Sequence, residues 1–306
     1  MLRFRLLSAA ALIGIVAATV WLDLTSPYNF GRPGIWMVPF GVAFLALAVE
    51  EFRGLVAPLA MLSRIVLHVG TQAILLPTFV PAFYLPYPES CSIGRLGFPL
   101  VGLAAATIFA FVTEMRRYEG PGKSIQRIAL ASLCFAFLGV PFAFFVLLRL
   151  FHENVWGMTA LVSLILVTKA ADSGAYFTGR FFGRTKMAPI LSPKKTWEGA
   201  VGGLVAAALA SWAFFSIAAP GLLTESQISG GELWWPRCLA YGVILGIAGM
   251  TGDLAESLLK RDLGAKDSGR GLPGMGGVLD VVDSPLGAAP VAYLCWALGL
   301  LGPLAD

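Results

Sequence analysis

Apolar positions in this chain do not alternate as in strands, nor do they recur three to four apart as on a half-buried helix. They form long, nearly unbroken runs, over 6–21, 35–48, 65–85, 96–113, 128–150, 155–177, 197–218, 238–259 and 284–301. A helix of roughly 20 apolar residues crosses the hydrocarbon layer of a bilayer, and a helix satisfies its own backbone there. The pattern predicts an all-α, polytopic integral membrane protein with about nine transmembrane helices. Pro77 and Pro81 interrupt the third run and predict a kink. The first run follows Arg3 and Arg5 and reads as an uncleaved first helix rather than a secretory leader, because no clear cleavage site precedes Asp23.

The polar stretches between the runs orient the chain. With the N-terminus in the cytoplasm, Arg3, Arg5, Arg53, Arg64, Arg116, Arg117, Lys123 and Arg127 fall inside, as do all the basic residues of 179–196 and 260–283. Arg32, Arg95, Arg149 and Arg237 fall outside. This asymmetry obeys the positive-inside rule and places loops 179–196 and 260–283 on one cytoplasmic side. The organisation is therefore an N-terminal set of about five helices over 1–154 and a C-terminal transmembrane region over 155–306 that carries both loops. No soluble domain, linker or clean internal repeat is visible.

Composition narrows the chemistry. Hydrophobic residues make up 57% of the chain and charged residues 13%, and the net charge of +4 carries no long basic tract, which argues against nucleic acid as a partner. Cys91, Cys134, Cys238 and Cys295 are far apart, and His68 and His152 lie in different segments, so a zinc or haem centre is not expected. Any metal would be a hard cation held by carboxylates.

Against this sparse background, residues 251–284 carry five aspartates, one glutamate and four basic residues. Ionisable groups at a membrane surface or within it are costly, and they read as functional. Asp253, Glu256, Ser257 and Lys260 share one helical face. Lys260, Arg261 and Lys266 could meet phosphate. Asp253, Asp267, Asp280 and Asp283 could converge on one or two divalent cations, and Asp280 and Asp283 would also cap the last helix. Between them the Gly-rich turn 268–277 offers backbone N–H groups to phosphate oxygens, Gly276 and Gly277 among them. Carboxylates, a hard metal and Lys/Arg together stabilise phosphoryl or nucleotidyl transfer, whose transition state spreads negative charge over oxygen atoms. Upstream, Lys169 and Asp172 are spaced to pair within the membrane, and Lys194 and Lys195 could steer an anion. The chain has no GxxxxGK[ST] sequence, so a P-loop fold is not expected.

These stretches resemble the phosphatidate cytidylyltransferase (CDP-diacylglycerol synthase) family. The likeness rests on Ser257-Leu-Leu-Lys260-Arg261, Lys266-Asp267, Pro273-Gly-Met-Gly-Gly277 and Asp280-Val-Val-Asp283, and upstream on Asp172–Arg180 and Ser192–Gly199. Met275 stands where the family pattern has His, and Val281 where it has Arg. The resemblance implies that CTP and phosphatidate give CDP-diacylglycerol and pyrophosphate. It also implies Mg2+ held by Asp253 and Asp280, with Asp267 and Asp283 adjacent and room for a second metal or a monovalent cation. Lys260, Arg261 and Lys266 would hold phosphates, helped by Ser257 and the Gly276-Gly277 backbone, with Lys194, Lys195 and Asp172 on the other side. Acyl chains would enter from the cytoplasmic leaflet, and a homodimer would form through apolar segments. Three other readings stay open from the residues: a CTP-dependent polyprenol kinase, a transporter using Lys169, Asp172 and Asp253, and a non-catalytic relative.

Overall fold

The computed structural model describes residues 2–25, 30–83, 93–152, 154–218, 234–269 and 276–301, with side chains from residue 10 onward. In chain order the elements are α1 (Leu2–Leu24), α2 (Met37–Val56), α3 (Arg64–Thr78), α4 (Val80–Phe83), α5 (Gly94–Arg116), α6 (Ser124–Cys134), α7 (Val140–Arg149), α8 (Asn154–Phe182), β1 (Lys186–Ala188), β2 (Ser192–Thr196), α9 (Trp197–Ala213), α10 (Trp234–Asp262) and α11 (Leu279–Ala297). Among the described residues five helical stretches are long and apolar enough to cross a membrane: Gly94–Arg116, Ser124–Arg149, Asn154–Phe182, Trp197–Ile217 and Trp234–Asp262. The chain is a largely helical integral membrane protein.

The prolines act as their chemistry dictates. The third run breaks at Pro77, so that α3 ends at Thr78 and the short α4 follows. Pro141 lacks an N–H, and its ring crowds the carbonyl four residues earlier. The helix absorbs this as a π turn, Phe135–Gly139, and α6 and α7 remain one stretch. The polar loop expected over 179–196 differs most from expectation. α8 continues to Phe182, and the rest folds into an antiparallel hairpin in which Lys186 faces Thr196 and Ala188 faces Ser192.

The chain divides into two compact units, Met1–Leu150 with Asp262–Val281, and Phe151–Arg261 with Val282–Asp306. In the first, Asp23 is fully buried and accepts hydrogen bonds from the Gly34 amide at 3.0 Å, the Trp36 amide at 3.3 Å and Arg149 Nε at 2.5 Å. This pairing joins the end of α1, the start of α2 and the end of α7. Two charges survive burial because each neutralises the other and the remaining carboxylate lone pairs meet backbone donors.

In the second unit an aromatic core of Trp156, Phe215, Tyr241 and Trp296 joins α8, the π turn Phe214–Ala218 that follows α9, α10 and α11. Its polar atoms form a directed chain. Ser163 gives its proton to the Ala160 carbonyl at 2.8 Å, so the Tyr241 hydroxyl donates to Ser163 Oγ at 3.0 Å, and Trp296 Nε1 donates to Tyr241 at 3.3 Å. Elsewhere in this unit small residues let helix backbones touch, the usual solution where lipid offers no hydrophobic drive. A Cβ on Gly252 of α10 would come within 2.6 Å of the Asp283 carbonyl and 2.9 Å of Gly287 Cα on α11. Cys134, Cys238 and Cys295 are buried free thiols, as their apolar settings suggest, and Cys91 lies outside the described residues.

Two outcomes follow for purified protein. Arg149→Leu leaves Asp23 as an uncompensated buried charge, and unfolding in detergent should show a loss of about 3–5 kcal/mol. Gly252→Ala pushes backbone against backbone at the crossing of α10 and α11, and thermal unfolding should show a loss of about 1–3 kcal/mol, whereas the same change at the open Gly54 should be near neutral.

Candidate active site

The second unit carries most of the residues that the sequence singles out. Asp253 follows Gly252 directly, so the close crossing of α10 and α11 carries it toward Asp283. Asp283 lies within electrostatic reach of Asp253, Asp172 and Lys169. Asp283 Oδ1 accepts from the Ser284 amide at 2.6 Å, and Ser284 Oγ donates to Asp172 Oδ1 at 3.0 Å. Lys169 pairs with Asp172 at 3.2 Å, as their spacing predicts. Three carboxylates from α8, α10 and α11 and one ammonium thus share a single polar patch.

The hairpin adds a second cation. Thr196 ends β2 and caps α9 by accepting from the Gly199 amide at 3.1 Å. Glu198, in the first turn of α9, accepts from the Arg184 and Thr185 amides, each at 3.1 Å. These contacts explain the Thr-Trp-Glu-Gly part of the stretch as the fastening of the hairpin to the helix. Arg261 Nε reaches the Leu191 carbonyl at 3.2 Å and ties the hairpin tip to the end of α10. Successive residues of a strand face opposite ways. Lys194 is exposed, while Lys195 sets its ammonium 2.8 Å from Asp253 Oδ2. The Lys195 nitrogen is buried, and among the described residues its donors find no hydrogen-bond acceptor in good geometry. The contact with Asp253 is therefore a charge pairing without a directed bond, and it leaves donors for an anion.

Further along α10, Ser257 Oγ lies 3.4 Å from Asp253 Oδ1. Lys260 pairs with Glu256 at 3.2 Å, and Glu256, Ser257 and Lys260 are all buried. The shared helical face read from their spacing is therefore an inward face.

The first unit holds the rest. Lys266 and Asp267 are exposed. Asp280 Oδ2 accepts from the Ser268 amide at 3.0 Å, Ser268 Oγ at 2.9 Å and the Gly277 amide at 2.7 Å. Asp280 therefore caps the start of α11, as its position suggests, and the Gly277 amide is spent on that cap. Gly276 has φ +97° in the left-handed region, and a side chain on it would meet Asp280. Met275 lies outside the described residues, and Val281 sits half-buried on α11. Among the described residues no three of His, Cys, Asp and Glu stand together as a ready-made metal cage.

One participant was not singled out by sequence reasoning. Glu51, at the end of α2, accepts from the Val278 amide at 2.8 Å, the Leu279 amide at 2.9 Å and Ser268 Oγ at 3.3 Å. The signal for it in the sequence is the Glu50-Glu51 pair closing an apolar run.

A protein from Brucella suis named phosphatidate cytidylyltransferase is 45% identical over 146 residues, covering 48% of this chain and 50% of that protein. One of the same name from Haemophilus influenzae is 39% identical over 178 residues, covering 56% of this chain and 59% of the other. A third, from Mycobacterium bovis, is 30% identical over 306 residues, covering 96% and 89%. The chain thus spans about half the length of the first two relatives and most of the third. The profile of the cytidylyltransferase family matches residues 3–298, well beyond the loops that carried the sequence resemblance, and the chain belongs to that family.

Proposed function

We propose that this protein transfers a cytidylyl group from CTP to phosphatidate, giving CDP-diacylglycerol and pyrophosphate. The observation that carries the reading is the Lys195–Asp253 pair, a buried ammonium with unspent donors held against a carboxylate. Lys195 is suited to a phosphate oxygen and Asp253 to a cation that accompanies it. Family membership and the names of the relatives support the substrate assignment.

Mg2+ is the proposed metal, with Asp253 and Asp283 as its ligands in the second unit; in the first unit Asp280 is separately proposed as a carboxylate donor to a cation. Two carboxylates fit this ion, because Mg2+ keeps several waters and takes substrate phosphates rather than needing a full protein cage. When bound, it would neutralise charge on the triphosphate. A second metal or a monovalent cation remains part of the proposal. In the reaction a phosphate oxygen of phosphatidate attacks the α-phosphorus of CTP. The new P–O bond forms as the bond to the β-phosphate oxygen breaks, and pyrophosphate leaves with that electron pair. The attacking oxygen is already anionic near neutral pH, so no general base is required. Lys195 would hold the triphosphate, and Lys194 and Arg261 would draw anions to it; exposed Lys266 in the first unit is a further proposed phosphate contact. Lys260 and Ser257 would set the buried face of α10, and Asp172 would hold Lys169 and Ser284 in place. In the first unit, Asp267 and Gly276 are proposed contacts to a phosphate, while the Gly277 amide already donates to Asp280.

The same reading includes about nine spans, a cytoplasmic N-terminus, a bacterial inner membrane with the reacting groups facing the cytoplasm, and a homodimer through apolar faces. The basic residues that gather in alternate polar stretches support that orientation.

Purified protein supplied with phosphatidate, Mg2+ and CTP labelled at the α-phosphate should move label into a lipid-soluble product, and EDTA should stop it. Lys195→Met and Asp253→Asn should each lower turnover by about 100-fold or more. Full turnover in both variants would remove the assignment, and no transfer by folded wild-type protein would remove the reaction.

A further inference from the structure

We propose that Glu51 is a positioning residue that sets Ser268–Gly269, Gly277 and the first turn of α11, and through them Asp280. The inference rests on the reading above in that Asp280 handles a cation there. A helix leaves its first N–H groups without partners inside the helix. At α11 two of these donors, Val278 and Leu279, are met by one carboxylate arriving from α2, with Val278 on Oε1 and Leu279 on Oε2. Gly269 and Gly277 leave room for that carboxylate. A Cβ on Gly269 would lie 2.8 Å from Glu51 Cδ, and a Cβ on Gly277 would collide with Glu51 Oε2 and Ser268 Oγ. The slot therefore needs glycine on both sides. Its base is held by the neighbouring Glu50, which joins α2 to α3 through His68 Nε2 at 2.6 Å and Arg64 Nε at 2.5 Å and pairs within α2 with Arg53 at 2.9 Å.

Ser268 connects the two carboxylates. Its Oγ lies 2.9 Å from Asp280 Oδ2 and 3.3 Å from Glu51 Oε2. A hydroxyl has one proton and can serve one of these acceptors at a time. When the proton turns to Glu51, one hydrogen bond leaves Asp280 Oδ2 and a lone pair becomes available for a cation. Glu51 thus does two things: it fixes the backbone that carries Asp280, and it offers Ser268 somewhere else to donate.

The test compares wild type, Glu51→Gln, Glu51→Asp and Ser268→Ala in lipid nanodiscs by hydrogen exchange and by CTP binding across a Mg2+ titration. Gln keeps the shape but turns an NH2 toward a backbone amide, so exchange at Val278 and Leu279 should rise at least tenfold in Glu51→Gln, while α8 and α9 exchange as in wild type. Glu51→Asp, too short to span the slot, should rise by less and serves if the Gln variant misfolds. In Ser268→Ala exchange at these amides should stay near wild type, yet the Mg2+ concentration for half-maximal CTP binding should shift severalfold. Wild-type exchange in Glu51→Gln would overturn the proposal. Faster exchange with an unmoved Mg2+ requirement in both Glu51→Gln and Ser268→Ala would reduce Glu51 to a structural cap and also overturn it. If wild type binds no CTP, the proposed reaction fails, and the exchange rates alone still decide whether Glu51 holds the turn.

Discussion

An apolar surround makes an unpaired charge expensive, and that constraint arranges the ionisable groups of this protein. Asp23 and Arg149 are fully buried and meet each other, Glu256 meets Lys260 on an inward helix face, and Lys169 meets Asp172. Lys195 follows the rule only halfway. Its charge is answered by Asp253, but its hydrogen-bond donors are not. Unlike the fully bonded Trp296–Tyr241–Ser163 chain, this ammonium beside a carboxylate keeps donors to spare, which suits the proposed joint binding of an anion and a cation.

The signature stretches divide between architecture and chemistry. Thr196, Glu198 and Gly199 fasten a hairpin to a helix, and Gly276 and Gly277 shape a turn whose polar atoms cap α11. Their service is to hold Lys195 and Asp280 where they stand. Gly252 and Gly287 do the same at the crossing that carries Asp253 toward Asp283. The glycines thus supply close approach more than flexibility, and the charged residues between them inherit their positions.

Much of this was legible in the sequence because membrane spans announce themselves by run length alone. The runs over 96–113, 128–150, 155–177, 197–218 and 238–259 became long apolar helices, extended by a turn or so where polar residues continue the helix. The Lys169–Asp172 pair and the capping role of Asp280 followed from helical spacing. The hairpin was hidden, since a short strand pair held by Glu198 and Thr196 has no periodic pattern of its own. Glu51 was hidden for a deeper reason. Its partners Val278 and Leu279 lie more than two hundred residues away and are backbone amides, which leave no mark in side-chain sequence. Lys195 was read as a steering charge, and only its burial reveals an ammonium with unused donors.

If Lys195 and Asp253 wait for a triphosphate and its metal, neither ligand should bind well without the other. Equilibrium binding of CTP to the purified protein, with and without Mg2+, tests that most directly. The account predicts binding that strengthens at least tenfold when Mg2+ is added, with the gain abolished in Asp253→Asn. CTP binding of equal strength with and without Mg2+, or a full gain in Asp253→Asn, would contradict it.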